Sequence, residues 1–433
     1  MRIRKRPGVG VRMVRLLLMA AVIGGAAATA RAQAQPRANA CLTCHGGLAE
    51  ARLSAPATLF SGEDIHRNSG FACADCHGGN PETRDAAMAH DRGRGFRGAP
   101  RASEQIAVCA RCHSDPDLMR RYAPRQRVDQ AAEYATSVHG KQLASGDSRV
   151  ATCASCHGAH GIRVVRDAKS PVFPTNVAAT CASCHANAAH MTGYKLPDGK
   201  PLPTQQLADY QKSVHYAALT TGGDLSAPTC NDCHGNHGAV PPGVGSVANV
   251  CGTCHAVFAQ KFATSVHAEI FDKGCVECHS NHAVLKPSDK MLGAGEGTVC
   301  ATCHSGADDR GAIAATAMRS GLDRLTDALK KSTDVIDRVG NAGIEVSAEE
   351  LKLADARNHL TLARTEMHAF NPAVVEPVIQ SGLTIIGDVD NAGQRAGNEL
   401  SFRRRGLALS LAAILFFVAA LWLKIRQIEK TER

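Results

Sequence analysis

Aromatic residues make up only 4% of this 433-residue chain. Between Cys41 and His304 there is also little hydrophobic periodicity of either helical or strand type, and glycine and proline interrupt the chain repeatedly. Such a stretch cannot bury a conventional side-chain core. No cysteine lies outside one recurring pentapeptide, so none is left over for a separate disulfide framework. The first 32 residues contain no acid and carry seven basic residues, and the formal charge of +9 falls to +2 beyond them. That near-neutral balance gives no support to nucleic-acid binding.

What is present is a single motif used nine times. All 18 cysteines fall in C-x-x-C-H pentapeptides. They are Cys41, Cys44 and His45; Cys73, Cys76 and His77; Cys109, Cys112 and His113; Cys153, Cys156 and His157; Cys181, Cys184 and His185; Cys230, Cys233 and His234; Cys251, Cys254 and His255; Cys275, Cys278 and His279; and Cys300, Cys303 and His304. Two thiols three positions apart share one side of a helical turn, where each can form a thioether with one vinyl group of the same porphyrin. The histidine that follows then reaches the iron, so the pattern is the attachment signature of c-type haem. Zinc sites and redox dithiols also use C-x-x-C, but neither has a reason to place histidine after every second cysteine. The expected cofactor is therefore nine covalent haem c groups, with the porphyrins themselves forming the core.

The sixth iron ligand separates electron carriers from enzymes. Outside the motifs stand His66, His90, His139, His160, His190, His215, His237, His267, His282, His359 and His368. Eight of these recur in a repeat. SVH followed by TCASCHGAH (137 to 160) returns as SVH with TCNDCHGNH (213 to 237) and SVH with GCVECHSNH (265 to 282), and each copy is followed by one more C-x-x-C-H. A degenerate copy begins DIHRNSGFACADCHGG at Asp64. Four units of two motifs and two spare histidines, plus the leading CLTCH, match ligand supply to demand. The repeat supplies His66, His90, His139, His160, His215, His237, His267 and His282 as distal ligands, and His190 and His368 are added candidates. Met191 is an alternative donor beside His190. Which histidine reaches which iron stays open.

The ends of the chain read differently. A basic segment, an apolar run and Ala30-Arg31-Ala32 predict a signal peptide over 1–32. The uncharged run Gly406 to Leu423 is about 27 Å long as a helix and predicts one transmembrane span. Basic residues flank it on both sides, so its orientation follows from the haem region lying outside the cytoplasm rather than from charge. From 311 on, cysteine stops and helix formers take over. Helices are expected over 312 to 339 and from a capping box at Ser347 and Glu350 through Phe370, with a third after Asn371-Pro372. On a helix continuous through both, His359 and His368 stand about 180° apart and cannot serve one iron. Four segments result: signal peptide 1–32, haem domain 33–310, helical domain 311–400 packing on the haems, and anchor with a short cytoplasmic tail 401–433. The Arg-rich stretch 91 to 101 is a candidate partner for haem propionates or for a docking protein, and equally a solvated loop.

The SVH/CxxCHGxH units, the ARTEMHAFNP segment and the C-terminal anchor together resemble the doubled-CxxCH multihaem c-type cytochromes. The His368-x-x-Asn371-Pro372 end is similar to helix ends in their nitrite reductase and hydroxylamine oxidoreductase relatives. The resemblance implies a mainly α fold with extensive loops wrapped around stacked haems, on the periplasmic face of a bacterial inner membrane. It implies respiratory electron transfer from a membrane quinol-oxidising cytochrome b or iron-sulfur subunit to a periplasmic or extracellular acceptor. No C-x-x-C-K motif is present, and no catalytic residue is assigned. A reductase of small nitrogen or sulfur oxyanions with one open iron, and a haem-holding structural subunit of a larger complex, are the alternatives.

Overall fold

A computed structural model describes residues 39–241 and 247–431. The signal peptide expected over 1–32 lies outside the described residues. The fold is mainly helical with long loops, and among the described residues the only strand-like feature is an isolated bridge between Lys195 and Pro201. The chain divides into two compact units, Met1–Cys181 with Asn236–Ala239 and Ala182–Gly235 with Val240–Arg433.

Before residue 310 the described helices are short, at most 12 residues, and many of them hold one motif or one histidine. Cys73–His77, Cys153–His157 and Cys230–His234 are single turns. The residue before each receives a hydrogen bond acceptor from inside the turn: the backbone N–H groups of Ala72, Thr152 and Thr229 donate to Asp75, Ser155 and Asp232 at 2.7, 3.0 and 2.8 Å. The middle residues of these pentapeptides thus cap the turn that presents the cysteines. Glycine follows the histidine in all three, at φ of 70, 81 and 80°, where only a residue without Cβ is unstrained.

In two of its three copies the SVH tripeptide has an equally local explanation, whereas Ser265 of the third makes no side-chain cap bond. Ser137 and Ser213 are N-caps whose hydroxyls accept from the backbone of Gly140 and Tyr216 at 2.9 and 3.1 Å. Histidine two positions later is thereby fixed in the first turn of a helix. In the earliest copy, Asp64 replaces the serine and accepts from His66 N at 2.8 Å. Tyr134 and Tyr210, three residues before the caps, tie these turns to the motifs through hydroxyl bonds to Ala151 O and Pro228 O at 2.8 and 2.9 Å.

The residue after each cap then links one repeat to the next. Ile65 N donates to Ile162 O, Val138 N to Ala239 O and Val214 N to Val284 O, at 2.8, 3.0 and 2.9 Å. Each acceptor lies two residues beyond the histidine that ends the following repeat. The repeats are therefore joined in overlapping fashion rather than closed on themselves.

Conventional packing begins after the last motif. Helices Arg310–Asn341, Ser347–Glu366 and Pro372–Thr431 form a three-helix bundle. The main buried apolar cluster draws its fully buried side chains from residues 318 to 389, with Leu322, Leu325, Leu353, Ile379 and Val389 all at 2% exposure or less. Their spacing of three and four puts them on one stripe of each helix. Gly321 and Gly382 allow the close approach: a Cβ there would lie 2.5 Å from Ile379 and 2.9 Å from Leu325. The expected capping box at Ser347 does not form. Val346 is the N-cap, without a side-chain bond, and Ser347 N instead donates to Glu345 at 3.1 Å. The second helix also stops at Glu366, so His368 sits in a 3-10 turn, Met367–Ala369, and not on a helix shared with His359.

The third helix is continuous for 60 residues and carries the apolar span, where the most hydrophobic window has a mean hydropathy of 2.4 and is not buried against protein. Since Leu325 is fully buried in the bundle, Leu325→Ala is expected to cost about 3 kcal/mol. Chemical denaturation followed by far-ultraviolet circular dichroism should show the lower midpoint, with the covalent haem content unchanged.

Candidate functional site

Every motif cysteine is half-buried or exposed, so each thiol is open to attachment. Thiols of successive motifs also lie close enough to perturb one another. Burial raises the Cys41, Cys76, Cys233 and Cys278 pKa values, and Cys73, Cys112, Cys254 and Cys300 respectively push them further up. Cys109 and Cys153 share a hydrogen bond that holds Cys109 protonated and lowers Cys153 to about 7. Cys251 and Cys275 do the same, with Cys275 at about 7. The attachment points are thus neighbours in chain order.

The motif histidines face other histidines. In the first unit the ring centroids of His45 and His90 are 6.1 Å apart, His66 and His113 6.0 Å, His77 and His160 5.9 Å, and His157 and His237 6.1 Å. In the second unit His215 and His255 are 6.3 Å apart, His234 and His282 6.0 Å, His267 and His304 6.1 Å, and His279 and His368 6.2 Å. Interplanar angles meanwhile range from 8° to 88°. Rings in direct contact would change spacing with angle; a constant spacing at any angle points to a common separator. Two metal–imidazole bonds of about 2 Å, plus about 1 Å from each nitrogen to its ring centre, give about 6 Å. The pairs therefore fit two axial ligands on one haem iron.

Ring orientation fits as well. His45 Nδ1 lies 3.2 Å from Leu53 O, His77 Nδ1 3.2 Å from Gly98 O, His234 Nδ1 3.2 Å from Val240 O and His368 Nδ1 3.2 Å from Thr365 O. A carbonyl accepts only from Nδ1–H, which leaves the Nε2 lone pair for a metal. Burial lowers the pKa of His113, His157, His160, His185, His215, His267, His279, His282 and His368, and nearby histidines lower most of them further. Neutral imidazole is the form that ligates. Among the described residues no group of three or more His, Cys, Asp or Glu side chains is arranged to hold a bare metal ion.

The pairing follows a rule that the sequence left open. A histidine preceding the first motif of a repeat meets the second motif of the same repeat, as in His66–His113, His215–His255 and His267–His304. A histidine following that motif meets the motif of the preceding repeat, as in His160–His77, His237–His157 and His282–His234. His90 likewise meets the leading His45. His368 takes the same place for the last repeat by facing His279. His139 and His185 hold in the sequence the places of His66 and His113. His190 stacks on Tyr194 at 6.5 Å, and Met191 is buried.

The turn that carries His368 serves two sites. Phe370, in the left-handed region at φ 51°, packs edge-on against His267 at 4.3 Å, while Phe258 packs against His368 at 4.9 Å. Arg364 makes a two-pronged ion pair with Asp289 at 2.8 and 2.9 Å, Arg319 reaches Asp289 O at 2.8 Å, and Lys261 pairs with the buried Glu366 at 2.8 Å. Gly311 makes room for His304, since a Cβ there would stand 2.1 Å from its ring. Arg364, Glu366 and Phe370 lie in the ARTEMHAFNP segment that the sequence singles out, but their partners Asp289, Arg319 and Lys261 carry no motif.

Two family comparisons match this chain. Residues 65–186 match the cytochrome c3 family, and residues 267–309 match the doubled CXXCH motif. No curated protein and no solved structure matches it.

One local feature departs from the repeat. Ser280 stands where the other copies have glycine and adopts φ 60° with ψ 179°, a conformation that costs a residue with a side chain about 1–3 kcal/mol. Ser280→Gly is expected to stabilise the protein by about 1 kcal/mol after the greater chain entropy of glycine is subtracted. Thermal unfolding should show the higher midpoint, and an unchanged or lower one would mean that the Ser280 hydroxyl bond to Ala283 O outweighs the strain.

Proposed function

We propose that this chain, which matches the cytochrome c3 family over residues 65–186 and the doubled CXXCH motif over 267–309, is a membrane-anchored electron relay of nine haems. Bound haem supplies a one-electron ferric/ferrous couple at each iron. The residues of the chain hold that couple in a fixed ligand field. In each proposed site the motif histidine and its facing histidine would hold the iron between them, with Nδ1 bonds setting the orientation of several rings. The observation that carries this reading is the constant ring separation of 5.9 to 6.3 Å over eight pairs. An iron with two protein ligands exchanges electrons without binding substrate, which favours a carrier over a reductase of nitrogen or sulfur oxyanions.

The segments take the order proposed from the sequence: leader 1–32, haem region 33–310, helical bundle 311–400 and anchor 401–433. The uncharged helix from Gly406 to Leu423 crosses the membrane, with the haem region on the periplasmic side. Electrons enter from a membrane quinol-oxidising cytochrome b or iron-sulfur subunit and leave to a periplasmic or extracellular acceptor. The proximity of successive motif thiols supports a conducting series in chain order within each unit.

Electron paramagnetic resonance of the purified ferric protein tests the reading. The expected spectrum is entirely low-spin and unchanged by nitrite; a high-spin signal that shifts with nitrite would identify an open iron and an enzyme. The spectrum should also contain two low-spin classes. The His77–His160, His157–His237, His234–His282 and His279–His368 planes lie within 17° of parallel, whereas the other four pairs cross at 40° to 88°. Parallel rings donate π density along one axis and split the iron d orbitals strongly, giving rhombic signals, while crossed rings cancel that splitting and give highly anisotropic ones.

His368→Ala should leave nine covalent haems by the pyridine haemochrome assay and turn one of nine irons high-spin. Nine low-spin irons in that variant would remove His368 from the ligand set.

A further inference from the structure

The eight histidine pairs differ in what touches Nδ1. Backbone carbonyls do so at His45, His77, His234 and His368. A carboxylate does so at His66, where Asp64 Oδ1 is 3.4 Å from Nδ1, and at His304, where Asp309 Oδ1 is 3.0 Å away. We infer that Asp64 and Asp309 are positioning residues that set the irons of the His66–His113 and His267–His304 sites to lower reduction potentials than their carbonyl-bound neighbours. This rests on the ligand reading above.

The physical argument concerns charge. A carboxylate beside Nδ1–H draws the proton toward itself and makes the imidazole a stronger donor at Nε2. A stronger donor with a nearby negative charge stabilises ferric iron over ferrous and lowers the potential. Screening is weak at Asp64, whose side chain is 1% exposed. Its other bonds are to the backbone N–H groups of His66 at 2.8 Å and Ile162 at 2.9 Å. The charge therefore keeps its effect on the imidazole. Asp309 is more exposed and shares its carboxylate with Ser305, Gly311 and Ala312 N–H groups, but it hydrogen-bonds its imidazole directly at 3.0 Å, whereas Asp64 acts on His66 through its charge at 3.4 Å. Glu133 stands 3.6 Å from His237 Nδ1, too far for a hydrogen bond, and is already paired with Arg127.

A capping role alone does not account for Asp64. Ser137 and Ser213 occupy the same place in later repeats and cap their helices with a neutral hydroxyl. A buried carboxylate is costly where serine suffices. What aspartate adds at this position is a second acceptor, for Ile162 N at 2.9 Å, and a charge next to a proposed ligand.

The comparison among repeats also supplies the experiment. Asp64→Asn keeps a side-chain acceptor for the cap and removes the charge, while Ser213→Asp places the charge beside His215 in another repeat. In a redox titration of the full-length holoprotein at pH 7, followed by optical and electron paramagnetic resonance spectra, Asp64→Asn should raise one midpoint. The expected shift is about tenfold in the ferric-to-ferrous ratio, about 59 mV for a one-electron couple. Ser213→Asp should lower a different midpoint, and Asp309→Asn should raise a third. If His66→Ala opens one iron but neither aspartate-to-asparagine change moves a midpoint, the tuning is wrong and the ligation stands. If His66→Ala leaves every iron low-spin, the ligand assignment fails and the tuning with it.

Discussion

The constraint on which the rest depends is a pair of imidazoles facing each other across about 6 Å, one from a C-x-x-C-H turn and one from a distant segment. Among the described residues before 310 there are few buried apolar side chains and no core cluster of their own. Its organisation must come from what joins the pairs, since hydrophobic burial is too sparse to do it. The backbone bonds from Ile65, Val138 and Val214 to the segments beyond the next motif act with the pairs. Each repeat completes a site of the repeat before it. Removing one repeat from such a series would leave a motif histidine of its neighbour without its facing ring.

A series of this kind has an end, and the helical bundle supplies it. No fifth repeat follows the last motif, and His368 stands where that repeat's histidine would be. The bundle can present it rigidly because it has an ordinary core, with glycines at the closest helix approaches and stripes of leucine, isoleucine and valine. The same junction anchors the last motif through Asp309, which caps the first bundle helix and touches His304. The helix that starts after His368 is also the one that carries the apolar span, so in the proposed arrangement one continuous element runs from a haem ligand to the membrane.

The repeat also separates structural from electronic roles. Serine and aspartate are equivalent as helix caps, and the backbone geometry they support is the same. They are not equivalent as neighbours of a ligating ring, because only one of them carries a charge. A repeat architecture can in this way keep the fold constant while varying single positions around each metal site.

Much of this molecule was legible in the sequence because its chemistry is local. A C-x-x-C-H turn is complete within five residues, and in the SVH copies at 137 and 213 a serine cap places histidine in the first turn of a helix. The change to helix formers at 311 reads directly as a bundle, since a stripe every three or four residues has few other uses. The expected Ser347 cap failed because Val346 already begins the helix and Glu345 takes the bond. The helix expected to run through His368 stopped early because Phe370 adopts a left-handed conformation before Pro372. The partner of each histidine was not legible at all. Pairing depends on which segments meet across dozens of residues, and nothing in the spacing of one repeat encodes the register of the next. The sequence by itself determined that the chain binds haem c at C-x-x-C-H turns; the tertiary structure decided the overlapping pairing of the histidines, because rings meet by distance in space and the chain orders them only by position.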